Sequence, residues 1–237
     1  TKKKDQASAG SRPEFYAKIQ QHFNLIDSFQ KTDIDQLSAE NQKLRETIEQ
    51  FKYVIADLRD SSDPRSLYIV SSGDKKLHLI SWNTRMGGTM IDFTTMAVYQ
   101  TQCGYTVTRT LSDSSENPPV DPIMHYQGIS TISTPDGPVY IAHGFGQGST
   151  ILPWEEVRAI RIDVDRLIFP RIFPDAKSNL FVEFDRTNLR SGEIPVIQIS
   201  ENGKIISTPV PDDHEGFTGK YQTYVFKDSV YQVTRGL

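Results

Sequence analysis

Two pairs of carboxylates have spacing that can do chemistry. Asp163 and Asp165 lie two residues apart in "AIRIDVD", as do Glu183 and Asp185 in "NLFVEFD". Residues two apart share one face of a β-strand. Two such strands side by side would present four carboxylates, enough for a hydrolytic acid/base pair or a Ca²⁺ site. Their neighbours support a plainer account. Ile160, Ile162 and Val164 alternate with Arg161, Asp163 and Asp165, and Leu180, Val182 and Phe184 alternate with Glu183 and Asp185. That is the pattern of sheets with one wet face. Hydrolysis through these groups is expected only if the fold brings all four into one cleft.

The other reactive residues are scattered. Cys103, the single cysteine, would need His78, His125 or His143 beside it to act as a nucleophile, and buried cysteines are more often small core residues. "PDDHEG", 211–216, offers Asp212, Asp213, His214 and Glu215 to a cation, but four adjacent loop residues seldom converge on one ion. "GFGQGS", 144–149, lacks the Gly-Lys-Ser/Thr or strand–helix context of a phosphate loop and reads as a turn after a strand. No metal or cofactor site is expected. The candidate binding face is aromatic: Trp82 and Trp154, with Tyr221, Tyr224 and Tyr231 in the C-terminal "FTGKYQTYVFKDSVYQVT". Large rings of this kind anchor interfaces, and they also pack across strands. A glycan-binding version requires an exposed Trp82 or Trp154 beside polar groups.

What positions these residues begins with a helix. With Ile34 as heptad position a, the a residues are Ile34, Asn41, Ile48 and Ile55, and the d residues are Leu37, Leu44, Phe51 and Leu58. Strict alternation of steps of three and four is the repeat of a left-handed coiled coil. Ile at a with Leu at d favours two parallel strands, a lone Asn at a fixes register, and Phe51 leaves a trimer open. Glu40 at g and Arg45 at the next e would form an ion pair between chains. Thr32 is the expected cap and "DSSDP", 60–64, the stop. The predicted rod over 33–60 is roughly 40 Å long at ~1.5 Å per residue.

A second helical pattern precedes it, "RPEFYAKIQQHFNLIDSFQ", with Ser11 as cap and Pro13 in its first turn. Its seam of Phe15, Ile19, His22, Ile26 and Phe29 is out of step with the main heptads, so a break at "QKTD" is expected. It carries only Arg12 and Lys18, too little charge for a basic helix entering the major groove ahead of a zipper. Residues 1–11, with Lys2, Lys3 and Lys4, read as a polar tail.

After Pro64 the period becomes two. Turn signals at Gly73-Asp74, Asp136-Gly137 and Asn202-Gly203 separate pairs of strands. "LSDSSENPPVDP", 111–122, is the longest loop, and "LPWEEVRAI" starts either a short helix or a strand. About a dozen short strands imply a mainly antiparallel β-sandwich or barrel over 64–237, behind a helical oligomerisation region over 12–63: an α+β chain with an N-terminal parallel coiled coil.

Composition narrows the partners. A net charge of −4 gives no general attraction to nucleic acid or anionic membrane, and no apolar run is long enough to span a bilayer. One cysteine fits an intracellular, reducing setting or a virus particle. The layout is similar to that of viral and phage fibre or spike proteins, and it also resembles scaffold subunits built as coiled coil plus head. The expected function is therefore a non-enzymatic structural or protein-binding subunit of a larger assembly, paired with itself. Receptor or glycan attachment is the alternative.

Overall fold

The computed structural model describes residues 10–58, 61–62, 67–88, 90–111, 124–189, 195–213 and 216–234. The basic residues Lys2 to Lys4, the stop at Asp63-Pro64, most of the 111–122 loop, and His214 and Glu215 lie outside these.

Helix α1 (Arg12–Phe29) opens on a capping box: Ser11 Oγ accepts from the Glu14 backbone N–H while Glu14 reaches back to the Ser11 N–H. The chain breaks after Phe29 as its sequence predicts, but the cap of α2 (Ile34–Gln50) is Asp33, not Thr32. Asp33 Oδ1 accepts from the N–H groups of Asp35 and Gln36, which holds its carboxyl below the usual carboxylate range. Thr32 instead donates its hydroxyl back to the Ser28 carbonyl. The predicted continuous rod is interrupted at Phe51, whose φ of −95° and ψ of 14° leave the helical region before a single further turn, α3 (Lys52–Ile55).

Fourteen strands follow among the described residues, in three antiparallel sheets. Sheet 1 runs β1 (Ser61–Ser62), β2 (Tyr68–Ser71), β3 (Leu77–Asn83), β4 (Phe93–Gln100), β5 (Thr106–Thr110) in chain order. Sheet 2 uses β6 (Met124–Thr134), β7 (Gly137–Gln147), β8 (Pro153–Asp163) and β10 (Asn179–Glu183), ordered β10-β8-β7-β6; the short β9 (Arg166–Ile168) also pairs with β8. Sheet 3 is β11 (Gln198–Ser200), β12 (Ile205–Pro211), β13 (Phe217–Lys227) and β14 (Val230–Thr234). The chain is thus mostly β with a helical N-terminus. "LPWEEVRAI" resolves as strand β8 rather than a helix.

The layers stack as helices, sheet 1, sheet 2, sheet 3, with an apolar core at each junction. Ile69, Ile80, Trp82, Met96 and Val98 of sheet 1 pack against Phe15, Ile19, Phe23 and Ile26 of α1 and Leu37, Leu44 and Ile48 of α2. On its other side Leu77, Leu79, Ala97 and Tyr99 meet Met124, Tyr140, Ala142 and Ile160 of sheet 2. Ile141, Val157, Leu180 and Val182 then face Ile206 and Tyr231 of sheet 3. A sheet covered on both faces buries successive residues, not alternate ones. Accordingly all of β3 except Asn83, and all of β4 except Gln100, is buried.

The heptad seam is therefore occupied within the chain. Leu37, Asn41, Leu44, Ile48, Phe51, Ile55 and Leu58 are all buried, and only Ile34 is exposed, at 59%. The a-position Asn41 pins α2 to sheet 1: its Nδ2 donates to the Leu37 and Thr84 carbonyls, and its Oδ1 accepts from Trp82 Nε1 at 3.0 Å. Glu40 and Arg45, expected to meet across two chains, are satisfied in one. Glu40 contacts His22 Nδ1 at 2.6 Å and Lys43 at 3.1 Å, while Arg45 donates to Thr94 and Gln42. Steps of three and four identify an apolar face without saying what covers it; here α1 and sheet 1 do.

Candidate functional site

The sheet-1-facing side of sheet 2 extends beyond the area that sheet 1 covers, across β8 and β10. Register aligns three rows there: Gly146, Trp154 and Glu183; Tyr126, Gly144, Glu156 and Phe181; Ala142, Arg158 and Asn179. Opposed residues in an antiparallel ladder point to the same face, so these side chains form one surface.

Its floor explains the glycine string. Gly144 and Gly146 lie inside strand β7 and not in a turn. A β-carbon on Gly146 would overlap the Trp154 indole, and one on Gly148 would come within 3.2 Å of it. The missing side chains let the indole lie flat across the neighbouring strand. Trp154 stays partly exposed, and the Phe181 ring, 52% exposed, stands 6.3 Å from it at 39°. The two rings form an apolar shelf whose geometry is held from below.

Beside the rings, on the same face, lies a buried ion pair. Arg158 Nη2 is 2.5 Å from Glu156 Oε1, with both side chains at most 10% exposed. Asn179 bonds the Glu156 carboxylate, and the Arg158 guanidinium lies over the Phe169 ring at 5.6 Å. Burial holds the Glu156 carboxyl above the usual range, with Arg158 pulling it down. Burial likewise raises the Tyr126 phenol, with Arg158 beside it pulling the other way. Charged groups this deep cost desolvation and need fixed partners; they stiffen the shelf but are screened from anything that lands on it.

The carboxylates that suggested hydrolysis do not converge. Glu183 is paired in register with Trp154, while Asp163 closes the far end of β8, nine residues away, roughly 30 Å at ~3.3 Å per residue. Asp163 is 3.6 Å from Arg166, the Asp165 carbonyl accepts from Tyr99 Oη, and Asp185 caps a short turn through Thr187. Cys103 is exposed on the β4–β5 turn rather than in a core, and His78 is buried in β3 against Ser71. Asp212 accepts the Gly216 N–H. Among the described residues no three His, Cys, Asp or Glu gather as metal ligands.

Of the expected binding face, Trp154 is at the shelf and the rest is elsewhere. Trp82 is fully buried beneath α2, Tyr231 is 2% exposed and stacked on Phe173, Tyr224 packs on the core between sheets 2 and 3, and Tyr221, at 37%, sits on β13 beside Phe217. Phe181, Asn179, Glu156 and Arg158 escaped the sequence reading. The available signal was the exposed-side position of Phe181 in "NLFVEF", where a polar residue would continue the alternation.

A second polar cluster lies at the seam of sheets 1 and 2. His125 stacks on Tyr68 at 4.2 Å with Phe93 and Phe145 around it, and its Nδ1 is buried without a hydrogen-bond partner. His143 is 3.3 Å from Glu155, which accepts the Ile197 N–H at 2.5 Å. Burial, and then His143, lowers the His125 pKa to about 4. An unfolded histidine protonates near 6.5, so between the two values the unfolded chain binds more protons and stability falls as pH drops. Stability is expected to decrease by on the order of 2 kcal/mol from pH 6.5 to about 4, measured by denaturant titration, and His125→Leu should remove that component. An identical pH slope in the variant would refute the assignment.

Scanned against protein-family models, curated proteins and solved structures, the chain matches none.

Proposed function

We propose that this chain is a non-enzymatic binding subunit of a larger assembly, recognising another protein through the Trp154–Phe181 shelf. The carrying observation is the exposed Phe181 ring beside a partly exposed Trp154 indole that lies on glycines, next to a fixed ion pair. Rigid aromatic anchors lose little entropy on binding and dominate interface energetics. No described helix is long and apolar enough to cross a membrane, and a chain with one cysteine fits an intracellular assembly or a virus particle.

Glycan attachment is the second reading, favoured by Glu183 and Asn179 flanking the rings in register. Polarised C–H edges of a sugar suit the negative face of an indole, and the flanking groups suit its hydroxyls.

The test begins with a photo-crosslinking residue at position 181 in the native cell, followed by direct titration of the captured partner. Trp154→Ala is expected to weaken that binding about thirtyfold, the level of a ~2 kcal/mol hot spot. Since Trp82 is fully buried, acrylamide-accessible fluorescence reports Trp154, and a ligand on the shelf should shield it. Unchanged affinity in the variant would end the shelf reading. Glycan-array binding that disappears in Trp154→Ala would replace the protein partner with a sugar.

A further inference from the structure

A strand bonds to its neighbour through alternate residues, so the pairing of β10 with β8 decides which backbone groups face outward. The Ala159 N–H donates to the Ser178 carbonyl, and the Phe184 N–H donates to the Pro153 carbonyl. The even-numbered residues therefore bond to β8, and the odd-numbered ones turn their N–H and C=O groups away from it. Lys177 is already engaged there: its carbonyl accepts from the Phe173 N–H, and its own N–H donates to the Pro174 carbonyl. At Asn179 and Phe181 the outward backbone groups make no hydrogen bond among the described residues. β10 has no proline, no lysine and no bulge, the usual devices that close an edge. At the opposite edge of sheet 2, sheet 1 bonds the start of β6: Thr95 donates to the Met124 carbonyl, and the Tyr126 N–H donates to Ser81.

Both sides of the open edge are apolar. On one side stands the Phe181 ring, 52% exposed beside Trp154. On the other a groove of about 310 Å³ runs between β10 and sheet 3, lined by Leu180, Val182, Thr208, Tyr224 and Lys177. Val233 lies opposite Tyr224 in the β13–β14 ladder and so shares its face. That face looks towards sheet 2, yet Val233 is 47% exposed. Sheet 3 thus carries apolar surface that sheet 2 leaves uncovered.

We propose that the protein partner binds by strand addition at Asn179 and Phe181, as an extended segment with apolar side chains on both faces and an acidic residue near Lys177. This rests on the reading of the shelf as a protein-binding surface and names the form its partner takes. Open N–H and C=O groups at strand spacing are matched by another extended backbone, while alternate side chains fall on the shelf and into the groove. Lys177 is exposed and has no ion pair among the described residues, so it favours an acidic neighbour. The open run is short, closed at Lys177 by Phe173 and followed after Asp185 by a turn. A single segment fits it. The edge of a second copy would bring its own Phe173 bridge into the same slot.

The experiment presents the full chain with a pooled library of blocked six-residue peptides, carrying Val, Ile, Phe or Tyr in the centre and Asp or Lys at either end. Asp-ended peptides are expected to be enriched, to shield the Trp154 indole from acrylamide, and to slow exchange of the Phe181 amide proton about tenfold, read by NMR. N-methylation of the peptide amides that face β10 should weaken binding about tenfold, because backbone hydrogen bonds are lost. Lys177→Glu, an exposed substitution that leaves the core untouched, should invert the preference to Lys-ended peptides. An absence of enrichment overturns the proposal. A shielded indole with unchanged Phe181 exchange overturns strand addition while the shelf reading stands. Slowed exchange with an open indole supports the strand and ends the shelf reading. Phe181 exchange that slows with protein concentration alone would assign the edge to a second copy and overturn the proposal.

Discussion

Asn41→Leu is expected to destabilise the chain by about 3 kcal/mol, because each buried polar group left unpaired costs ~1–3 kcal/mol. Asn41 closes three hydrogen bonds at 2% exposure, two to carbonyls and one from the Trp82 indole N–H. Leucine fits the volume of the site but leaves the Trp82 N–H and the Thr84 carbonyl facing hydrocarbon. For a chain of this size the midpoint of thermal unfolding should fall by about 6–12 °C. A parallel coiled coil predicts the opposite sign: an apolar residue replacing Asn at a raises stability while register and oligomer state loosen. Thermal melts beside light scattering therefore separate the two settings. Raised stability with a mixed mass would mean that the seam faces another chain.

Glu156→Leu should cost about 3–5 kcal/mol, the range for stranding one charge of a buried pair. Arg158 is 8% exposed, its Nε has no hydrogen-bond partner among the described residues, and Glu156 is the carboxylate beside it. The double variant Glu156→Leu with Arg158→Met should recover most of the loss, since an apolar pair of similar volume removes both desolvation penalties. Chemical denaturation of the two singles and the double gives the coupling energy directly. Additive losses would show that the charges are solvated independently and that the pair does not brace the shelf.

Local signals carried well from sequence to structure. The Ser11 cap, the break after Phe29 and the hairpins near Gly73 and Asp136 each depend on a few adjacent residues, and each is present. Signals that depend on a partner carried poorly. The spacing from Leu37 to Leu58 marks an apolar face and is silent on whether a second copy or sheet 1 covers it. "PWEEVR" resists a strand reading because β8 is buried on both sides. Glu155 turns towards sheet 3 and Glu156 towards sheet 1's side, so no wet face sets a period of two. The glycines at 144, 146 and 148 look like a loop until the register sets Trp154 beside Gly146. Phe181 stands at an exposed-side position of "NLFVEF", but its meeting with Trp154 depends on the pairing of β10 with β8, which the sequence does not state.

The layers are stacked in the order in which the chain is made. A ribosome releases the helical hairpin before sheet 1, sheet 1 before sheet 2, and sheet 2 before sheet 3. Each new sheet thus meets a surface already waiting for one of its faces, and leaves one sticky face bare until the next layer emerges. For sheet 1 that interval spans the synthesis of β6, β7 and β8, the stretch in which a nascent chain of this design most needs a chaperone.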